Sequence, residues 1–248
     1  MLKEFIAHIQ KTTQPLIQTI DPEIDSGSTF AVTSDGRAVE LRAAIDHPDT
    51  LALHSLEALV KLVQTEAVNM STPLYITIPD HLTVRCFGQP RPDARFFRQV
   101  YYEAKATDVP GFRDGFREQE KAIIELRSRF APGEGVDYLL DLLSRISKES
   151  GVTTSDNGVS QTVEARQGVA LKATVQVRPR VPLRPFRTFQ EVEQPESEFL
   201  LRLDEDGNIG LFEADGGMWK LAARQTIKAL LEKELEAEIA TEDVFIAL

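Results

Sequence analysis

Residues 171–189, Leu-Lys-Ala-Thr-Val-Gln-Val-Arg-Pro-Arg-Val-Pro-Leu-Arg-Pro-Phe-Arg-Thr-Phe, start as a β-strand and then meet proline at 179, 182 and 185. Successive backbone N–H groups of a strand point to opposite edges, so Pro179 and Pro185 strip donors from one edge and Pro182 from the other. No central strand tolerates that loss. The segment therefore belongs at a sheet edge, in a crossover or against a partner. It also concentrates Arg178, Arg180, Arg184 and Arg187 in a chain whose formal net charge is −11. With Phe186 and Phe189 beside them, these arginines are the candidate partner- or nucleic-acid-binding residues.

The acidic balance argues against a whole surface devoted to nucleic acid, because neutralising phosphates is what gives such proteins their affinity. A local basic groove stays compatible with it. Apolar residues make up 42% and charged residues 27% of 248 residues, enough for a real core in one large or two modest domains. The single cysteine, Cys86, can form neither an internal disulfide nor a thiolate metal site, which fits a reducing compartment. No apolar run approaches the ~20 residues of a membrane span, and no secretory apolar segment follows Met1. The expectation is a soluble cytoplasmic protein without membrane contact.

Hydrophobic spacing sets the order of elements. Leu2, Phe5, Ile6 and Ile9 predict a first helix, and Asp35-Gly36 a hairpin between 28–33 and 38–43. Residues 54–68 read as a helix with Leu56, Leu59, Val60 and Val63 inward. Strands follow at 74–78, 82–87 and 96–106. Charged amphipathic helices are expected at 113–130 and 136–147, close enough to form a helical pair. Asn157-Gly158 marks a second hairpin and the acidic turn after Leu203 a third. A long helix over 218–239 carries a stripe of Trp219, Ala223, Ile227, Leu230, Leu231 and Leu235, and 243–248 closes as a strand or docked tail. The predicted fold is α+β: mixed or antiparallel sheet hairpins, a central helical pair and a long C-terminal helix. A boundary near 150 divides a mixed N-terminal subdomain, 1–150, from a strand-rich one, 151–248, packed closely on it.

Along 173–184 the alternation places Val175, Val177, Val181 and Leu183 on one side and Arg178, Arg180 and Arg184 on the other. Same-face neighbours stand ~6.6–7 Å apart, close to the phosphate spacing of an extended nucleic-acid strand. Charge and stacking on Phe186 and Phe189 suit a single strand. The competing reading pairs the arginines with Glu191, Glu193, Glu196 and Glu198 downstream, or with a second subunit.

Other constellations carry less. Asp204, Asp206, Gly207, Ile209 and Glu213 partly match a calcium loop, but its first ligand position holds Arg202 and the flanks alternate like strands. A β-turn is expected there, and no metal. Lys220, Arg224 and Lys228 make a basic row on the last helix that suits an acidic surface or a solvated face. His8, His47, His54 and His81 lack metal-ligand spacing. No nucleophile elbow, phosphate loop or dinucleotide glycine triad occurs. No catalytic residue and no small-molecule cofactor is expected.

The order of features resembles the uncharacterised YfdQ-like family of phage and prophage proteins. The likeness runs from Ser55-Leu56-Glu57 through the paired helices near 113–147 to Leu183-Arg-Pro-Phe186, the hairpin 198–212 and the final helix. The proline-rich 179–185 departs from it. The resemblance implies a bacteriophage or prophage origin, hence the cytoplasm of a bacterial host, and supplies no functional residues. The leading expectation is a non-enzymatic accessory protein that self-assembles into a homo-oligomer or binds a protein through 178–189, with the apolar tail Val244–Leu248 as a further contact. The alternatives are a single-stranded DNA binding or annealing protein of phage recombination, and a structural protein of the virion shell or tail.

Overall fold

The computed structural model describes residues 2–4, 16–19, 29–32, 37–41, 49–91, 96–146, 152–156, 161–167, 170–204 and 206–248, in two units, 1–47 and 48–248. In the first unit β1 (Leu16–Thr19), β2 (Thr29–Val32) and β3 (Ala38–Leu41) form an antiparallel meander. Its second hairpin is the one expected from Asp35-Gly36, whose turn lies outside the described residues. Of the helix expected at 2–12, residues 2–4 are helical and the rest lies outside the described residues.

The second unit is built on two cores. β4 (Leu51–Leu53) leads into α1 (Leu56–Ala67), whose first turn is capped by Ser55, its hydroxyl accepting from the Ala58 N–H at 3.1 Å. Leu56, Leu59, Val60 and Val63 fall on one face of α1 and are buried, as their spacing predicts. β5 (Leu74–Asp80), β6 (Thr83–Arg91) and β7 (Phe97–Lys105) follow as an antiparallel meander. Leu74, Ile76, Ile78, Val84, Cys86, Tyr102 and Ala104 turn one face of that meander inward. Burial pushes the Cys86 thiol up to about 12, so it packs as a small apolar side chain.

β8 (Gly115–Arg117), α2 (Gln119–Arg129) and α3 (Glu134–Ile146) come next. The helix expected to begin at 113 therefore begins at 119. Residues 115–117 are drawn off as an edge strand on Ile209–Leu211, where Phe116 lies against the bare Cα of Gly210. β9 (Val152–Asp156), β10 (Gln161–Gln167) and β11 (Ala170–Val177) form a separate antiparallel sheet. The chain continues through β12 (Arg180–Leu183), β13 (Ser197–Leu203) and β14 (Ile209–Glu213), then α4 (Trp219–Glu234), α5 (Glu236–Ala240) and β15 (Val244–Ala247).

The fold is α+β. A five-stranded mixed sheet in the order β15-β5-β6-β7-β4 buries one face under α1 and α4. A four-stranded antiparallel sheet, β12-β13-β14-β8, packs on α2 and α3 around Leu126, Leu139, Leu143, Val181, Phe199 and Leu201. The boundary expected near 150 separates neither core. Ile227, Leu231 and Val244 complete the first core from the C-terminal side, while α2 and α3 complete the second from the N-terminal side. No helix of the described residues is long and apolar enough to cross a membrane.

The turn after Leu203 is a plain β-turn. The Asp204 carboxylate accepts from the N–H groups of Asp206 at 3.0 Å and Asn208 at 2.8 Å, and Gly207 takes the positive φ of 77°. Its oxygens are spent on the turn itself.

Candidate functional site

The proline-bearing ribbon lies at a sheet edge, and the register says which groups face outward. The Leu201 N–H donates to the Pro179 carbonyl at 3.0 Å, so 179, 181 and 183 direct their backbone groups at β13. The carbonyl of Leu201, which Pro179 cannot serve, accepts from the Arg202 guanidinium at 3.0 Å. Residues 178, 180, 182 and 184 then face the outer edge, and the α2–α3 junction closes most of it. The Arg178 N–H donates to the Tyr138 hydroxyl at 2.9 Å. The carbonyl of Arg184 accepts from Ala131 N–H at 2.8 Å, and Phe186 N–H donates to the Arg129 carbonyl at 2.9 Å. Pro182 needs no acceptor, and its carbonyl lies so close to Gly135 that a Cβ there would run into it. Among the described residues the backbone of Arg180 meets no partner on that edge.

The arginines are mostly matched too. Arg178 lies 3.2 Å from Glu134 and 4.6 Å over the Tyr138 ring. Arg184 pairs with Glu193 at 2.8 Å and donates to the Pro132 carbonyl at 3.0 Å. Arg187 is 3% exposed and pairs with Glu213 at 2.6 Å. It also donates to the Ser197 hydroxyl at 2.6 Å and lies 4.1 Å over the Trp219 ring. Its Nε is buried and, among the described residues, has no hydrogen-bond partner. Ser197 in turn donates to Asp215, which also receives the N–H groups of Gly217 and Trp219. Burial raises the Asp215 pKa, but those three hydrogen bonds and the Arg187 charge outweigh it and hold the carboxyl below its ordinary range.

Arg187 and Phe189, both expected on a binding surface, are buried within this chain. Phe189 belongs to the first core and Arg187 joins Ser197, Glu213 and Trp219. Phe186 is half-buried and Arg180 is exposed, with no ion pair among the described residues. Among the described residues, Glu193 alone of the four downstream glutamates pairs with an arginine of the ribbon. Glu191 instead accepts from the Leu56 N–H at 2.7 Å, at the start of α1. The basic row on α4 is likewise engaged: Arg224 donates to the Ile78 carbonyl at 2.8 Å and Lys228 pairs with Glu232 at 3.2 Å.

A second surface is spent on nothing comparable. The face of the five-stranded sheet turned away from α1 and α4 carries Tyr75 and Thr77 of β5, Arg85 and Phe87 of β6, Arg98 and Val100 of β7, and Phe245 of β15, all half-buried or exposed. Phe245, 45% exposed, stacks on Tyr75 with centroids 5.5 Å apart and planes 18° from parallel. The Arg98 guanidinium lies 4.7 Å over the same ring. Beside this row, Arg85 and Lys105 share the single carboxylate of Glu103, at 2.5 and 2.6 Å, leaving a positive excess. The result is a row of π-surfaces flanked by cations on the sheet face away from α1 and α4.

Sequence reading missed this face. The alternation Leu74-Tyr-Ile-Thr-Ile78 does put Tyr75 opposite the core, but nothing local says that Arg98 and Phe245 will lie beside it. No protein-family model, curated protein or solved structure matches the chain.

Proposed function

We propose that this protein is a non-enzymatic binding protein whose open sheet face takes single-stranded nucleic acid. The observation that carries the reading is the row Phe245–Tyr75–Arg98: two stacked aromatic rings with a guanidinium over Tyr75, on a sheet whose other face is covered by helices. Unpaired bases stack on such platforms without regard to sequence, while cations beside them meet the phosphates. A base laid on the outer face of Phe245 extends the row, and Arg98 meets the backbone. The net charge of −11 limits affinity through long-range repulsion, so binding belongs to low or moderate salt. A phage or prophage setting, from the resemblance to the YfdQ-like family, suits such a role.

The test is fluorescence anisotropy with a labelled oligothymidylate at low salt. Loss of one stacking platform costs about 1–3 kcal/mol, so Phe245→Ala weakens binding roughly 5- to 150-fold. Arg98→Glu weakens it and lowers the salt slope by about 1. Absence of any anisotropy change with the wild-type protein at low salt overturns the proposal.

Self-assembly, the other expectation, is favoured by a different observation. β15 ends the five-stranded sheet, and among the described residues no strand pairs with its outer edge. Val244-Phe-Ile-Ala247 carries none of the charges or prolines that usually block strand addition. Antiparallel pairing of β15 with its copy in a second subunit lengthens the sheet in its plane and leaves the aromatic face open. Light scattering should give a dimer that Ile246→Pro converts to a monomer. A monomeric wild-type protein refutes this reading and leaves the first intact.

A further inference from the structure

The loop before α2 and the helix itself border an open cleft of about 430 Å³ whose lining includes four cationic side chains, Arg113, Arg117, Lys121 and Arg129. Its two carboxylates offset only part of that charge, leaving the lining with a net positive balance. Glu125 pairs with Arg117, and Asp114 accepts from the Glu213 N–H at 2.9 Å. Lys121, Glu125 and Arg129 are spaced by four, so they share one face of α2. Arg113, Lys121 and Arg129 are exposed and have no carboxylate partner among the described residues. Like charges held around one cleft repel each other, and an anion between them relieves that repulsion.

The frame around them is fixed. Arg117 donates to the carbonyls of Gly115 and Arg113 and lies 5.0 Å over the Phe112 ring, which belongs to the second core. Gly111 and Gly115 have φ of 67° and 141°, and a Cβ on either would meet nothing within 4 Å. These glycines serve backbone shape, not packing, and leave the loop backbone open to a ligand. Phe116 also lines the cleft and is 51% exposed. It rests on Gly210 and edge-on to Phe212 at 5.6 Å.

We infer that this cleft binds a nucleoside phosphate, with the phosphate between Arg113, Lys121 and Arg129 and the base on Phe116. The volume fits a mononucleotide, and the pairing of unspent cations with an exposed ring selects a ligand that is anionic at one end and aromatic at the other. The site is distinct from the open sheet face and does not depend on it.

Isothermal titration of the full chain with AMP, inorganic phosphate and adenosine tests the inference. AMP should bind most tightly and adenosine least. Lys121→Glu and Arg129→Gln should each weaken AMP at least tenfold, and Phe116→Ala should bring AMP down to the level of phosphate. Arg98→Glu should leave AMP binding unchanged, which separates this site from the sheet face. No heat with millimolar AMP, or AMP binding that survives both Lys121→Glu and Arg129→Gln, overturns it.

Discussion

The ribbon 178–189 and the open face of the five-stranded sheet make opposite impressions in the sequence and behave oppositely in the fold. The ribbon has three prolines and four arginines and looks starved of partners. Its partners come from the same chain: Tyr138, Ala131 and Arg129 meet its backbone, while Glu134, Glu193 and Glu213 meet its guanidinium groups. The sheet face looks ordinary, yet Phe245 and Arg98 are exposed on it, with Tyr75 and Phe87 half-buried beside them. Unusual composition marks where hydrogen bonding is unusual. It does not say whether the completing group lies in another molecule.

The comparison can be broken most forcefully at Arg187. Removing a buried ion-pair partner leaves the others uncompensated, so Arg187→Met should cost about 3–5 kcal/mol in chemical denaturation. A loss under 1 kcal/mol would mean the ribbon is not anchored from within. Next comes the closure of the outer edge. Gly135→Ala drives a methyl into the Pro182 carbonyl and should cost about 1–3 kcal/mol, since backbone cannot step aside cheaply. A neutral effect would show α3 standing off β12.

A smaller effect concerns acid. The Asp215 carboxyl titrates lower in the folded chain than in the unfolded one. It therefore adds stability above the ordinary aspartate range, about pH 4, and that contribution disappears as pH falls through its folded value. Wild type should lose stability more steeply below pH 4 than Asp215→Asn does, followed by urea midpoints. Parallel curves would remove Asp215 from the Arg187 cluster. The least effect is expected at Arg180. Exposed and unpaired, it can become glutamate within about 0.5 kcal/mol and without loss of oligonucleotide binding.

Much of the fold was legible because its signals are local. The buried stripes of α1 and α4, the hairpin strands and the edge position of the prolines all follow from spacing along the chain. What failed was settled by distant pairing. Residues 115–117 join β14 as a strand because Gly210 makes room for Phe116, a fit that no local pattern encodes. Residues from both sides of 150 share the first core because β15 returns to a sheet begun at Leu51 and α4 packs on it. For the same reason the aromatic row, assembled from β5, β7 and β15, was hidden, while of the plainly visible arginines of the ribbon all but Arg180 were already paired.

The most direct measurement is photocrosslinking of a bromodeoxyuridine oligonucleotide to the full chain, with the attached peptides mapped by mass spectrometry. The account predicts adducts on peptides holding Tyr75, Phe87 and Phe245, and none on 178–189. Adducts confined to 178–189, with the sheet face unlabelled, would contradict it.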